Sequence, residues 1–202
     1  ASIYPTERTY TDHYYKRFLQ FEEEPAIGPE DIVMLGNSLT EAGKDWGARL
    51  KKKNVRNRGI IGDEAMGVYD RLHQILPGHP AKLFLLIGIN DVSHDLSADS
   101  VVTLITRLID RIQQESPQTK IYLQSLLPIN EYKTMIGKTD VVPAINQQLK
   151  DLTVSRQITF IDLFPLFTEK GTNVLRKELT NDGLHLTEEG YKIWSKKLRK
   201  YL

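Results

Sequence analysis

Two patterns of apolar and polar positions alternate along this chain. Short, nearly continuous apolar runs occupy residues 32–35, 81–87, 120–124 and 158–161, the pattern of strands buried on both faces. A fifth short strand is predicted at the start of 54–62, which runs into a turn carrying Gly59 and Gly62. Between the runs, apolar residues recur at helical spacing. Tyr14, Phe18 and Phe21 share one face with Lys16, Arg17 and Gln20 opposite, and Pro25, Gly28 and Pro29 break that segment. Trp46 and Leu50 point inward from 44–53, and Ala65, Val68, Tyr69, Leu72 and Leu76 line 64–76, which Pro77-Gly78 ends. The clearest helix is 97–114, where Val101, Ile105, Leu108 and Ile112 recur and Pro117 marks the exit. Another helix runs from about residue 143 to 153, and the last begins near Thr187 with Tyr191, Trp194, Leu198 and Tyr201 inward. Two stretches, 125–139 and 164–183, show neither period.

Strands alternating with helices throughout predict an α/β fold, a parallel sheet with helices on both faces. No repeat, low-complexity tract or linker interrupts the alternation, so residues 1–202 read as one domain. Residues 1–30 read as a helical extension packed on it by its aromatic stripe. At 202 residues such a domain buries most of its apolar surface without staples. A formal net charge of +1 gives no reason to expect nucleic acid or an acidic membrane surface as partner. No apolar run reaches the 18 residues or so of a membrane span. The absence of cysteine removes disulfides, thiolate catalysis and cysteine-ligated metals.

The chemistry-bearing residues fall at strand ends. Ser38 follows the first apolar run and Gly36, at the carboxyl edge of a sheet, where open α/β folds place ligands. A helix starting behind it would leave neighbouring backbone N–H groups free for a developing negative charge. Serine in that place can equally be a helix cap. Gly62 lies in the turn after the second strand, Asn90 just past the third, and Asp182 and His185 just before the final helix. Read singly, Gly62 and Asn90 can be turn formers, Asp182 part of the Asn181-Asp182-Gly183 turn, and His185 an ordinary half-buried histidine. Together they supply what acyl transfer needs: a hydroxyl, a base oriented by a carboxylate, and oxyanion donors.

Other catalytic signatures fail. The nucleophile elbow requires glycine two residues after its serine, where Thr40 stands. Neither a dinucleotide-binding nor a phosphate-loop glycine pattern occurs. His13, His73, His79 and His94 lack metal-ligand spacing, so no metal or cofactor is expected.

At these residues the sequence resembles the GDSL-type, or SGNH, esterases and acylhydrolases. The four blocks of that family match Gly36-Asn37-Ser38-Leu39, Ile60-Ile61-Gly62-Asp63, Gly88-Ile89-Asn90-Asp91 and Asp182-Gly183-Leu184-His185-Leu186, in the family's order. Gly62 is preferred to Gly59 because Asp63 follows it. Asn37 stands where the family name has aspartate, at a position that flanks the nucleophile. The resemblance implies a flavodoxin-like three-layer α/β/α sandwich with a five-stranded sheet. It implies a catalytic set of Ser38 as nucleophile, His185 as base and Asp182 as its orienting acid. The oxyanion hole would be the backbone N–H groups of Ser38 and Gly62 and the Asn90 side-chain amide.

The spelling of the first and last blocks looks closest to the platelet-activating-factor acetylhydrolase-like and carbohydrate O-acetylesterase branch. The implied activity is cofactor-free hydrolysis of short acyl, chiefly acetyl, esters of a carbohydrate or lipid. A lysophospholipase or thioesterase, or a carbohydrate-binding module on the same fold, stands as the alternative. The acyl pocket is expected between the segments 125–139, 164–180 and 92–96. Leu126, Leu127, Ile129, Tyr132, Met135 and Ile136 suit either a short pocket or an open channel. A glycan or lipid ester substrate, with Ala1 in place of methionine at the start, leans towards a periplasmic or secreted location, with a cytoplasmic one as the alternative.

Overall fold

The computed structural model describes residues 8–202. Five strands, β1 (Ile32–Gly36), β2 (Val55–Gly59), β3 (Lys82–Leu86), β4 (Lys120–Gln124) and β5 (Thr159–Ile161), form one sheet in the order β2-β1-β3-β4-β5. All four pairings are parallel. This is the flavodoxin-like order, in which the strand order reverses beside β1.

Side chains alternate along the central strands, so each strand feeds two cores. Val33, Leu35, Leu83, Leu85, Ile121 and Leu123 join one cluster, together with the inward faces of α4 (Ala65–Tyr69), α6 (Ala98–Glu115) and α7 (Val141–Arg156). Ile32, Met34, Phe84, Leu86 and Tyr122 join the other, against Trp46 and Leu50 of α3 (Trp46–Leu50) and Tyr191, Trp194 and Leu198 of α9 (Glu188–Leu198). Buried indoles need a polar partner. Trp46 Nε1 donates to the Thr40 carbonyl and Trp194 Nε1 to Gln124 Oε1, at 2.8 and 2.7 Å.

The N-terminal helix α1 (Asp12–Glu23) starts at Thr11, whose hydroxyl caps Tyr14 N–H. Its aromatic stripe is buried: Tyr14, Phe18 and Phe21 pack with Ile60 in a third, smaller cluster. Residues 1–7 of the expected extension lie outside the described residues. Among the described residues no helix is long and apolar enough to cross a membrane.

Four expectations need correction. The helix expected over 64–76 closes as α4 after five residues and continues as two 3-10 turns, Leu72–Gln74 and Leu76–Gly78. Bonds there fall back three residues, as in Ile75 N–H to Leu72 O, on the approach to Pro77, which has no N–H to give. The helix expected over 44–53 is only α3, because Lys51 takes a left-handed conformation (φ 56°). Asn90 belongs to a one-turn helix, α5 (Ile89–Ser93), and the stretch 164–183 contains another, α8 (Phe164–Phe167).

Candidate active site

The register sets the stage. Gly36 pairs with Gly59 of β2 on one side and Leu86 of β3 on the other, so the loops after these three strands rise side by side at the carboxyl edge. Gly36 must be glycine: a Cβ there would overlap the Leu86 carbonyl oxygen and the Thr40 hydroxyl. The short helix α2 (Ser38–Glu41) begins immediately behind it. Asn37, not Ser38, is its cap, accepting the Leu39 N–H at 3.0 Å through Oδ1. That frees the Ser38 hydroxyl, and Ser38 N–H sits in the first turn, where amides have no intrahelical carbonyl.

Ser38 Oγ lies 3.1 Å from His185 Nε2, and His185 Nδ1 lies 2.6 Å from Asp182 Oδ2. The loop carrying this pair is shaped by its own polar groups. Asp182 Oδ1 accepts the N–H groups of Leu184 and His185 at 2.9 and 2.8 Å. Thr180 Oγ1 donates to the His185 carbonyl and accepts from Gly183 N–H. Gly183 adopts φ +95°, and a Cβ there would overlap the Asn130 carbonyl oxygen. The Tyr132 ring stands edge-on to His185, centroids 6.1 Å apart.

Burial alone would raise the Asp182 pKa, but the His185 side chain and the two backbone N–H donors outweigh it and hold the carboxyl below its ordinary value. The carboxylate is thus ionised, positioned to orient the imidazole and to stabilise its cation.

Gly62, at φ +83°, and Asn90 are joined through Asp63: Asn90 Nδ2 donates to the Asp63 carbonyl at 2.9 Å. Beneath them lies a buried charged network that the hydrophobic pattern did not reveal. Arg71, fully buried, contacts the Asp63 carboxylate at 2.9 Å and donates to the carbonyls of Arg58 (2.8 Å) and Gly36 (3.0 Å). One guanidinium thereby ties the strand ends before Ser38 and before Gly62 to the Gly62 loop itself. Asp91 Oδ2 accepts Ala65 N–H at 3.1 Å, at the start of α4. Burial pushes Asp91 up to about 7. Burial pushes Asp63 up too, opposed by Arg71. The only sequence signal for this network was charge inside otherwise apolar blocks: Arg71 between Val68 and Leu72, Asp91 between Ile89 and Val92.

The structure therefore brings Ser38, His185 and Asp182 into one hydrogen-bonded relay and links Gly62 to Asn90 through one residue. Among the described residues no three carboxylate or imidazole groups cluster as a metal site. A hydroxyl, imidazole and carboxylate in line can pass a proton from Oγ to Nε2 and return it to a leaving group.

Fold and chemistry together define the class, a parallel α/β sandwich that carries a serine–histidine–aspartate relay at the carboxyl edge of its sheet. The model of the GDSL-like Lipase/Acylhydrolase family matches residues 34–193, and the chain belongs to that family. A solved Streptococcus pneumonia protein, provisionally described as a platelet activating factor, is 28% identical with a TM-score of 0.82, covering 94% of this chain and 92% of its own. The acetyl xylan esterase AlAXEase shares the fold at 22% identity and a TM-score of 0.71, covering 85% and 99%. Human platelet-activating factor acetylhydrolase IB subunit alpha1 is 21% identical over 169 residues, 80% of this chain and 70% of that one. The N-acylneuraminate cytidylyltransferase of Escherichia coli O18:K1:H7 is 25% identical over 171 residues, 81% of this chain. The aligned region is only 38% of that relative's length.

Proposed function

We propose that the chain is a serine esterase that removes short acyl groups, chiefly acetyl, from a carbohydrate or lipid through an acyl-enzyme on Ser38. The observation that carries this reading is the unbroken relay from Ser38 Oγ to His185 to Asp182, at 3.1 and 2.6 Å. His185 takes the Ser38 proton as the hydroxyl attacks the ester carbonyl, then gives it to the departing alcohol. Water, deprotonated by the same imidazole, releases the acid and returns Ser38. Through the tetrahedral stages the oxyanion is held by the N–H groups of Ser38 and Gly62 and the Asn90 amide. The whole chain acts as one hydrolase domain, and an exported location goes with a glycan or lipid ester.

A short acyl preference is supported by where the apolar loop residues go. Of the six named, Leu126, Leu127, Ile129 and Met135 are buried in the two cores, which leaves only half-buried Tyr132 and exposed Ile136, too few to line a channel for a long chain. The relatives named for acetyl esters point the same way. The test is turnover of p-nitrophenyl acetate and p-nitrophenyl octanoate by wild type and Ser38→Ala. Acetate hydrolysis should exceed octanoate hydrolysis and fall on the order of 10⁴-fold or more in the variant. Equal rates in wild type and variant would refute the role of Ser38, and preferred octanoate turnover would refute the short acyl group.

A further inference from the structure

The tip of the loop after β2, between buried Ile60 and Asp63, has little packing to hold it. Ile61 is 49% exposed, and nothing lies within 4 Å of where Gly62 would carry a side chain. Hydrogen bonds therefore set its position. Ile60 N–H reaches the Gly36 carbonyl and Asp63 N–H the Ile60 carbonyl, both at 3.1 Å. Arg71 and Asn90 hold its far side through Asp63, and at the tip one further bond differs: Ile61 N–H donates to Glu41 Oε1 at 3.1 Å. Its acceptor is a side chain, and it stands on α2, three residues beyond Ser38. Ile61 N–H lies at an exposed position where water could serve it, so the carboxylate is not there to rescue a buried donor.

Glu41 is itself held by α1. The same oxygen lies 2.8 Å from His13 Nε2 and 3.3 Å from Arg17 Nε. Arg17 also donates from Nε and Nη2 to the Gly59 carbonyl, at 3.1 and 2.9 Å. The far end of α2 is fixed to β2 by Asn57, whose Nδ2 donates to the carbonyls of Thr40, Glu41 and Lys44 and whose Oδ1 accepts Gly59 N–H. A rigid α2 thus carries the nucleophile at one end and the tether of the Gly62 loop at the other.

We infer that Glu41 is a positioning residue: its carboxylate sets the separation between Ser38 and the Gly62 amide, and His13 and Arg17 of α1 hold that carboxylate in place. The inference rests on the proposed roles of Ser38 and Gly62. It makes the N-terminal helix part of the catalytic frame. A displacement of about 1 Å at such a site costs up to about a hundredfold in rate.

The test compares Glu41→Ala, Glu41→Gln, Glu41→Asp, Arg17→Met and Ser38→Ala in three readouts. These are kcat and KM on p-nitrophenyl acetate, melting temperature, and inhibition by 1,1,1-trifluoroacetone, which adds to a serine hydroxyl to give a tetrahedral oxyanion. Glu41→Ala should lower kcat about 10- to 100-fold with KM within about twofold, and weaken the ketone by the same factor. Glu41→Gln, which keeps an acceptor at the same reach, should recover most of the loss. Glu41→Asp, one methylene short, should not, and serves equally if the alanine variant does not fold. Arg17→Met should fall between. Unchanged kcat and ketone affinity in Glu41→Ala and Glu41→Asp would overturn the inference. So would a glutamine variant as impaired as alanine, with the melting temperature falling in step. If Ser38→Ala keeps the wild-type rate, the underlying reading fails; if Ser38→Ala is inactive and the Glu41 variants are normal, only the present inference fails.

Discussion

The two halves of the candidate site are built by different physics. The half that carries Ser38, the proposed nucleophile, hangs from the sheet: every residue of β1 is buried, Ser38 follows it after one residue, and Arg71 braces the strand ends from beneath. The acid–base half hangs from a loop: the Asp182 and His185 side chains are 44% and 40% exposed, and the loop is held by its own turn hydrogen bonds and its contact with Asn130. The sheet half gains rigidity from burial, where an unpaired polar group is costly, so its charges must be mutually satisfied. The loop half gains rigidity from charge-assisted bonds to a single carboxylate, which survive solvent contact because they are short and multiple. Hydroxyl and imidazole thus reach one another from two scaffolds of unequal strength.

That contrast is sharpest under mutation of Asp182. Besides contacting Nδ1, this carboxylate accepts the Leu184 and His185 N–H groups, so it holds both the tautomer and the ring's backbone. Asp182→Asn should lower kcat on acetyl esters by about 10³- to 10⁴-fold with little change in KM. A loss below tenfold would mean that the loop keeps His185 oriented without the charge. On the sheet half, Asn90→Ala removes one proposed oxyanion donor and should cost about a hundred- to thousandfold in kcat. Because Asn90 Nδ2 also holds the Asp63 carbonyl, the partner loop should loosen, and Asn90→Asp should be no better than alanine. A variant with near-normal kcat would remove Asn90 from the oxyanion site.

The same division explains what was legible in the sequence. Strands buried on both faces, such as β1 and β3, announce themselves as continuous apolar runs, and all five strands, the polar edge strand β2 included, fall where they were expected. Ser38, Gly62, Asn90, Asp182 and His185 were legible because glycine, turn residues and chemistry-bearing side chains cluster at strand ends. Arg71, Asp63, Asp91 and Glu41 were not. A hydrophobic pattern assigns charged residues to solvent, whereas these three buried groups and one nearly buried carboxylate satisfy one another or backbone groups. The irregular segment after β4 was opaque for a related reason: its order comes from side-chain bonds to backbone. Asn146 of α7 accepts Leu126 N–H and donates to its carbonyl, at 2.7 and 3.0 Å. No local periodicity encodes a bond between residues so far apart.

The smallest expected effect separates the halves by pH. Asp182, held below its ordinary value, contributes stability that is present above the usual carboxylate range and lost only as pH falls through its lowered value. From about pH 4.5 to 7.5 its contribution is flat. Asp91 behaves oppositely. Burial raises it from 3.8 to about 7, with Glu64 and Asp63 adding to the effect against the Ala65 N–H bond. Well below 3.8 both folded and unfolded chains hold its proton, and Asp91 neither adds nor removes stability. As pH rises towards 7 the unfolded chain releases the proton while the folded chain keeps it, so stability falls, by at most about 4 kcal/mol at about 1.4 kcal/mol per pH unit. Asp91→Asn cannot ionise yet keeps an oxygen to accept Ala65 N–H, so the start of α4 remains served. The melting temperature of wild type should therefore decline relative to Asp91→Asn between pH 4.5 and 7.5, by several degrees, with other carboxylates cancelling between the two proteins. Parallel curves across that range would show that Asp91 is already ionised when folded, and that the floor of the sheet half is wetter than its burial implies.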